Sequence, residues 1–258
     1  MYEKNNVQLN CFNDNAAYPY DLKNADFAKA MQDVYDLLYA IDKRMIDGHW
    51  GRLADLAPKQ TISGLLSALL GGSLANASHS LVVNALDNGH PDLLLRGSHP
   101  RNSAQSAEEG IEVKSTVKSG GAVDMHGARE HWLCVFVYDP DTEKNDERPF
   151  KERKPITFTE VYLSHVTTDM YRKNGRGELG TRTATLDAAG LLKFRKDWVY
   201  RLPVYDHTVN PAGRHVGMNI VRPVFQFFIV QNQKICRPAV FHRSPLFQKG
   251  PFCRKQSQ

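Results

Sequence analysis

Three residues stand where chemistry could begin. Glu112 and Lys114 lie two apart in Ile111-Glu112-Val113-Lys114, and Asp92 precedes Glu112 with nineteen residues between them. In a strand successive side chains alternate, so Glu112 and Lys114 share one face and Ile111 and Val113 the other. If the run beginning at Asp92 pairs with this segment as a hairpin, two carboxylates and an amine converge. Such a trio suits phosphodiester hydrolysis. Asp92, Glu112 and the Val113 carbonyl offer hard oxygen ligands for Mg²⁺, and Lys114 could orient the attacking water or offset charge growing on the phosphate. The plainer reading of Glu112 and Lys114 is an ion pair on a solvent-exposed strand face, ordinarily worth little.

The elements that must position them can be read from periodicity. Phe27, Met31, Val34, Leu38, Ile41 and Met45 recur at three- and four-residue steps, with Asn24 as candidate cap and Gly48 just beyond, which predicts an amphipathic helix. After Pro58, Ile62, Leu65, Leu66, Leu69 and Leu70 form one face. Leu74, Ala77, Leu81 and Ala85 continue it past Gly71-Gly72, predicting a broken helix or two stacked helices. Asp87-Asn88-Gly89 is a turn signal leading into a short strand at Asp92-Leu95. A polar loop over 96–110 then precedes a strand at Ile111–Thr116. The continuous apolar run Trp132–Tyr138 fits a central strand buried on both faces. The charged stretch 141–154 reads as a loop, followed by strands at Ile156–Leu163, Trp198–Val204 and Ile220–Val230.

Composition narrows the function classes. With 258 residues and 41% hydrophobic content, the chain is long enough for one elaborated domain with a sizeable core. No apolar run reaches membrane-spanning length and no signal peptide is evident, so the expectation is a soluble, cytoplasmic protein with no membrane association. Cys11, Cys134, Cys236 and Cys253 make no CxxC and no HExxH occurs, which favours free thiols over a zinc site. Residues 1–110 hold 9 Lys+Arg against 13 Asp+Glu, leaving 24 against 15 for the remainder. From His207 onward there is no acidic residue, while Arg214, Arg222, Lys234, Arg237, Arg243, Lys249, Arg254 and Lys255 are spread along the segment. That distribution suits a polyanion such as nucleic acid, although a basic tail can also be only a solvated surface.

Pro91-Asp92 followed by Glu112-Val113-Lys114 resembles the PD-(D/E)xK nuclease superfamily, within it the type II restriction endonucleases. Glu112–Thr116, the glycine-containing segment Gly120–Arg129 and the apolar Trp132–Tyr138 extend the likeness. The resemblance implies an α/β (mixed α+β) fold, a restriction-endonuclease-like mixed β-sheet flanked by helices, with Asp92 and Glu112 binding Mg²⁺ and Lys114 assisting catalysis. It implies a site-specific double-strand DNA endonuclease acting as a homodimer, with a cognate DNA methyltransferase acting separately. The alternatives are a repair, nicking or structure-specific nuclease, and a catalytically inactive DNA-binding protein on the same fold.

On this reading residues 1–258 form one domain: a helical part over 1–86, a catalytic core over 87–165 and a basic DNA-reading part over 166–258. His126, Arg129, Arg182 and Arg214 are further candidates for contact with DNA or the active site. For His126 a structural role in a glycine-rich loop competes, and for Arg129 a local ion pair with Glu130. The segment Gly175–Arg182 reads as a basic loop near DNA, and Val224–Val230 as core. Residues 56–91 contain no Glu and only Asp87, so the additional carboxylate that many superfamily members carry there is unassigned. Asp47 and Asp55 are left outside the site.

Overall fold

A computed structural model describes residues 2–142, 147–172 and 183–203. The first helix, α1 (Asn24–Asp47), buries Phe27, Met31, Val34 and Leu38 of the stripe its periodicity predicts, together with Ala30 and Tyr35, while Ile41 and Met45 are half-buried. Its cap differs from expectation. Lys23 occupies the cap position with its N–H donated to Asp26 Oδ2 at 2.9 Å, while Asn24 is already helical and accepts from the Tyr18 hydroxyl. Gly48 ends the helix as expected.

After the single turn α2 (Leu53–Leu56), α3 (Lys59–Ala77) runs unbroken through Gly71-Gly72. The predicted break is absent because packing offsets the weak helix propensity of glycine, on the order of 1 kcal/mol per residue. Gly71 is buried against Leu93 and Val113, where an added methyl would make ordinary contacts at 3.7 to 3.8 Å. The helix stops at Ser78, whose hydroxyl accepts the N–H groups of Ser80 and Leu81, each at 3.1 Å. Leu81 and Ala85 therefore do not continue it. Leu81 opens a strand, β1 (Leu81–Val83).

Five further strands complete the main sheet: β2 (Leu93–Leu95), β3 (Ile111–Thr116), β5 (His131–Asp139), β6 (Thr157–Val166) and β8 (Trp198–Arg201). The order is β1-β2-β3-β5-β6-β8, antiparallel throughout except for the parallel β3–β5 pair. The apolar run around residue 135 is thus an interior strand, as expected, and it serves two cores by alternation. Cys134, Phe136 and Tyr138 pack with α1 and α3, while Leu133, Val135 and Val137 pack with Tyr162 and with Phe194 of α4 (Ala188–Phe194) on the other face. The protein is a mixed α/β structure with a six-stranded mixed sheet flanked by helices.

A two-stranded antiparallel ribbon, β4 (Asp124–His126) with β7 (Thr183–Thr185), lies beside this sheet. The loop leading to β4 turns through Gly120 and Gly121, both at positive φ, and is pinned by the fully buried Glu160 of β6, which accepts from the Ser119 hydroxyl and the Gly120 N–H. Within the charged 141–154 segment a short 3₁₀ turn occupies Phe150–Glu152. The buried Arg52 reaches this segment, donating to the carbonyls of Lys154 and Asp141. Among the described residues no helix is long and apolar enough to cross a membrane. Cys11 and Cys134 are free thiols, both buried.

The β2–β3 ladder tolerates no side chain at Gly110. Its φ is +135°, and an added Cβ would sit 2.1 Å from the Leu93 carbonyl oxygen and 2.6 Å from the Pro91 ring. Gly110→Ala should therefore cost about 3 kcal/mol in a urea melt, as strained-backbone changes do. Gly72→Ala, where a methyl meets nothing within 4 Å, should gain roughly 0.5–1 kcal/mol. A Gly110→Ala protein as stable as wild type would refute the close contact.

Candidate active site

Strand β2 pairs with β3 through Leu93 opposite Ile111, and Pro91 follows directly upstream. The ladder ends there, and a side chain takes over from the backbone: Asp92 Oδ2 accepts the Val113 N–H at 2.8 Å. In an extended strand a residue's N–H and C=O leave on the same side, so the Val113 carbonyl faces the edge that Asp92 occupies.

Glu112 and Lys114 project from the face opposite Ile111 and Val113, which are buried against α3. Lys114 Nζ contacts Glu112 Oε1 and lies 3.8 Å from Asp92 Oδ2. The structure thus brings together Asp92, Glu112, Lys114 and the Val113 backbone. The solvent-exposed ion pair does not describe this site, because the Glu112 side chain is only 9% exposed and that of Lys114 25%.

Electrostatics separates the two carboxylates. Burial disfavours charge on Glu112, but the His90 hydrogen bond and the Lys114 ammonium overcome it and hold the carboxyl at about 2. Asp92 moves the other way: partial desolvation, joined by the Glu112 charge, raises it against the pull of Lys114. Burial alone would lower Lys114, yet Asp92 and Glu112 raise it above the ordinary lysine value. Lys114 is therefore an ammonium ion, a donor and charge stabiliser, not a base.

Two histidines that sequence reasoning missed complete the site. His90 Nδ1 lies 2.8 Å from Glu112 Oε2, with only 13% of its side chain exposed. His131, at the first position of β5, is 2% exposed and meets the His90 ring edge-on, centroids 4.9 Å apart. Neither ring nitrogen of His131 has a hydrogen-bond partner among the described residues. Burial pushes this imidazole down to about 4, with the neighbouring His90 acting in the same direction and Glu112 opposing. The available signal was His90 directly before Pro91-Asp92.

A cleft of about 770 Å³ gives access to the trio, and its walls include Gly64, Ala68 and Gly72 of α3 as well as His131 and Arg129. Arg129 is exposed there, in keeping with its candidacy. His126 belongs to the ribbon strand β4, not to a loop, because its backbone pairs with Thr183. Arg182, Arg214, Gly175–Arg182 and Ile220–Val230 lie outside the described residues. Asp55 is held elsewhere by Arg52 at 2.8 Å and Arg153 at 2.9 Å, consistent with its exclusion.

No group of three or more His, Cys, Asp or Glu side chains among the described residues is arranged to hold a metal ion. Two carboxylates with a carbonyl are nonetheless a donor set that fits Mg²⁺, which keeps several waters and uses one or two carboxylates plus substrate phosphate.

Burial of His131 has a measurable consequence. Its folded-state value lies below the 6.5 of a free imidazole, so the unfolded chain takes up the proton first as pH falls. Stability should be lost progressively between about pH 6.5 and 4, by about 3 kcal/mol. His131→Phe should lack this component, so the difference in urea midpoint between variant and wild type should change across that range. A constant difference would rule out a buried neutral imidazole. Comparison of the chain with protein-family models, characterised proteins and solved structures finds no match, so its own geometry carries the functional argument.

Proposed function

We propose that the chain is a Mg²⁺-dependent, site-specific double-strand DNA endonuclease of the type II restriction kind, built on a restriction-endonuclease-like sheet. The observation that carries this reading is the convergence of Asp92, Glu112 and Lys114 at the open end of a two-strand ladder, at the wall of a cleft. A mixed sheet with helices on both faces, and a run from His207 onward free of acidic residues, are consistent with it.

Asp92, Glu112 and the Val113 carbonyl would hold the ion. Mg²⁺ in such a position supplies Lewis-acid stabilisation of the phosphate and a more acidic bound water. Asp92, the more exposed carboxylate at 42%, is the one open to incoming solvent and phosphate. Lys114 donates to the attacking water or to a non-bridging phosphate oxygen, where its charge opposes the negative charge that accumulates in the transition state. Cutting both strands of a two-fold site calls for a two-fold assembly, hence a homodimer. Protection of the host's own sites calls for a separate methyltransferase.

Wild type and Lys114→Ala, incubated with plasmid and phage DNA in Mg²⁺ or EDTA, should differ on a gel. Discrete Mg²⁺-dependent fragments are expected from wild type, with the rate reduced about 10²–10³-fold in the variant, the scale of losing one transition-state donor. DNA affinity should fall steeply with added salt, as phosphate contacts require. Retarded DNA that is never cut would overturn the enzyme reading and leave a DNA-binding module.

A further inference from the structure

The Glu112 carboxylate is gripped at both oxygens: Lys114 Nζ contacts Oε1 and His90 Nδ1 lies 2.8 Å from Oε2. An ionised carboxylate only accepts, so Nδ1 is the ring nitrogen that carries the proton. The two donors are not equivalent. On the nuclease reading Lys114 must also address a water or the phosphate during turnover, so its three N–H donors are shared among several oxygens. His90 sits deeper, backed edge-on by the buried ring of His131 at the root of β5. It is anchored at its own backbone as well, where its N–H donates to the Gln105 carbonyl and its C=O accepts from Ala107. Its place beside Glu112 is thus fixed by packing and by the main chain.

We propose that His90 is the positioning residue of the metal site: its Nδ1–H fixes the orientation of the Glu112 carboxylate and keeps it fixed while Lys114 shares its donors with the phosphate. This rests on the nuclease reading. His90 acts through Glu112: Nδ1, the nitrogen beside the carboxylate, carries its proton and has no lone pair to offer the ion there. Groups that orient a metal-binding side chain in this way typically change metal affinity by about 10–100-fold when removed.

Asparagine and glutamine separate this role from simple packing. The Asn amide nitrogen is as many bonds from Cβ as His Nδ1, whereas the Gln amide nitrogen matches Nε2. His90→Phe keeps a ring against His131 and removes the donor. Mn²⁺, which accepts the same oxygen ligands as Mg²⁺, is the probe. It is titrated without DNA and followed by the electron paramagnetic resonance signal of the free ion, with a thermal melt of each variant as control.

His90→Phe and His90→Gln are expected to weaken Mn²⁺ binding about 10–100-fold, and His90→Asn to stay within about threefold of wild type. Mn²⁺ binding by His90→Phe equal to wild type, or by His90→Asn no better than His90→Gln, would overturn the proposal. If His90→Phe does not fold, the Asn and Gln pair decides. A folded wild type that binds no Mn²⁺ would sink this proposal and leave the nuclease reading to the DNA-cleavage test. The expected Mn²⁺ pattern in a protein that cuts no DNA would sink only the nuclease reading.

Discussion

The site hangs on one hydrogen bond, from the Val113 N–H to Asp92. Strand β2 is only three residues long, and Pro91 has no N–H with which to prolong it. On the β2 side strand β3 runs on without a partner strand, and its next donor there would be unsatisfied without the Asp92 carboxylate. One oxygen thus finishes a β-ladder and stands beside Lys114. The convergence with Lys114 and the termination of the sheet depend on the same atom, so Asp92 cannot drift from β3 without exposing an unpaired backbone group.

Behind this bond the fold is a frame that brings sequence-distant groups to β3. Helix α3 packs against Val113 and Leu93 from one side. From the other, the parallel β3–β5 pair sets Ile111 beside Trp132, which places His131 at the root of β3 next to the turn that holds His90. Buried Glu160 fixes the loop that leads to the ribbon.

What the sequence revealed and what it hid follow from the range of the interactions. Helix α1 and strands β3, β5 and β6 were legible because each is long enough for its period to repeat, and Asp92, Glu112 and Lys114 because they belong to a hairpin. Leu81 misled because Leu74, Ala77 and Leu81 continue helical spacing by coincidence, while the actual stop signal is the hydroxyl of Ser78. The three-residue strands β1, β4 and β7 are too short to show a period. The pairing of His90 with Glu112 and its contact with His131 depend on how the turn and the parallel strand meet. Nothing in local spacing encodes that.

The charges of the trio carry one more consequence. Asp92 and Glu112 together outweigh the single ammonium of Lys114, so the floor of the cleft has an excess of negative charge at the point where a phosphate would have to rest. On the proposed reading, cation and nucleic acid are therefore partners in one thermodynamic cycle. Each relieves the repulsion the other meets, and each must raise the other's affinity by the same factor. On that reading the reactive centre is committed only where both have arrived.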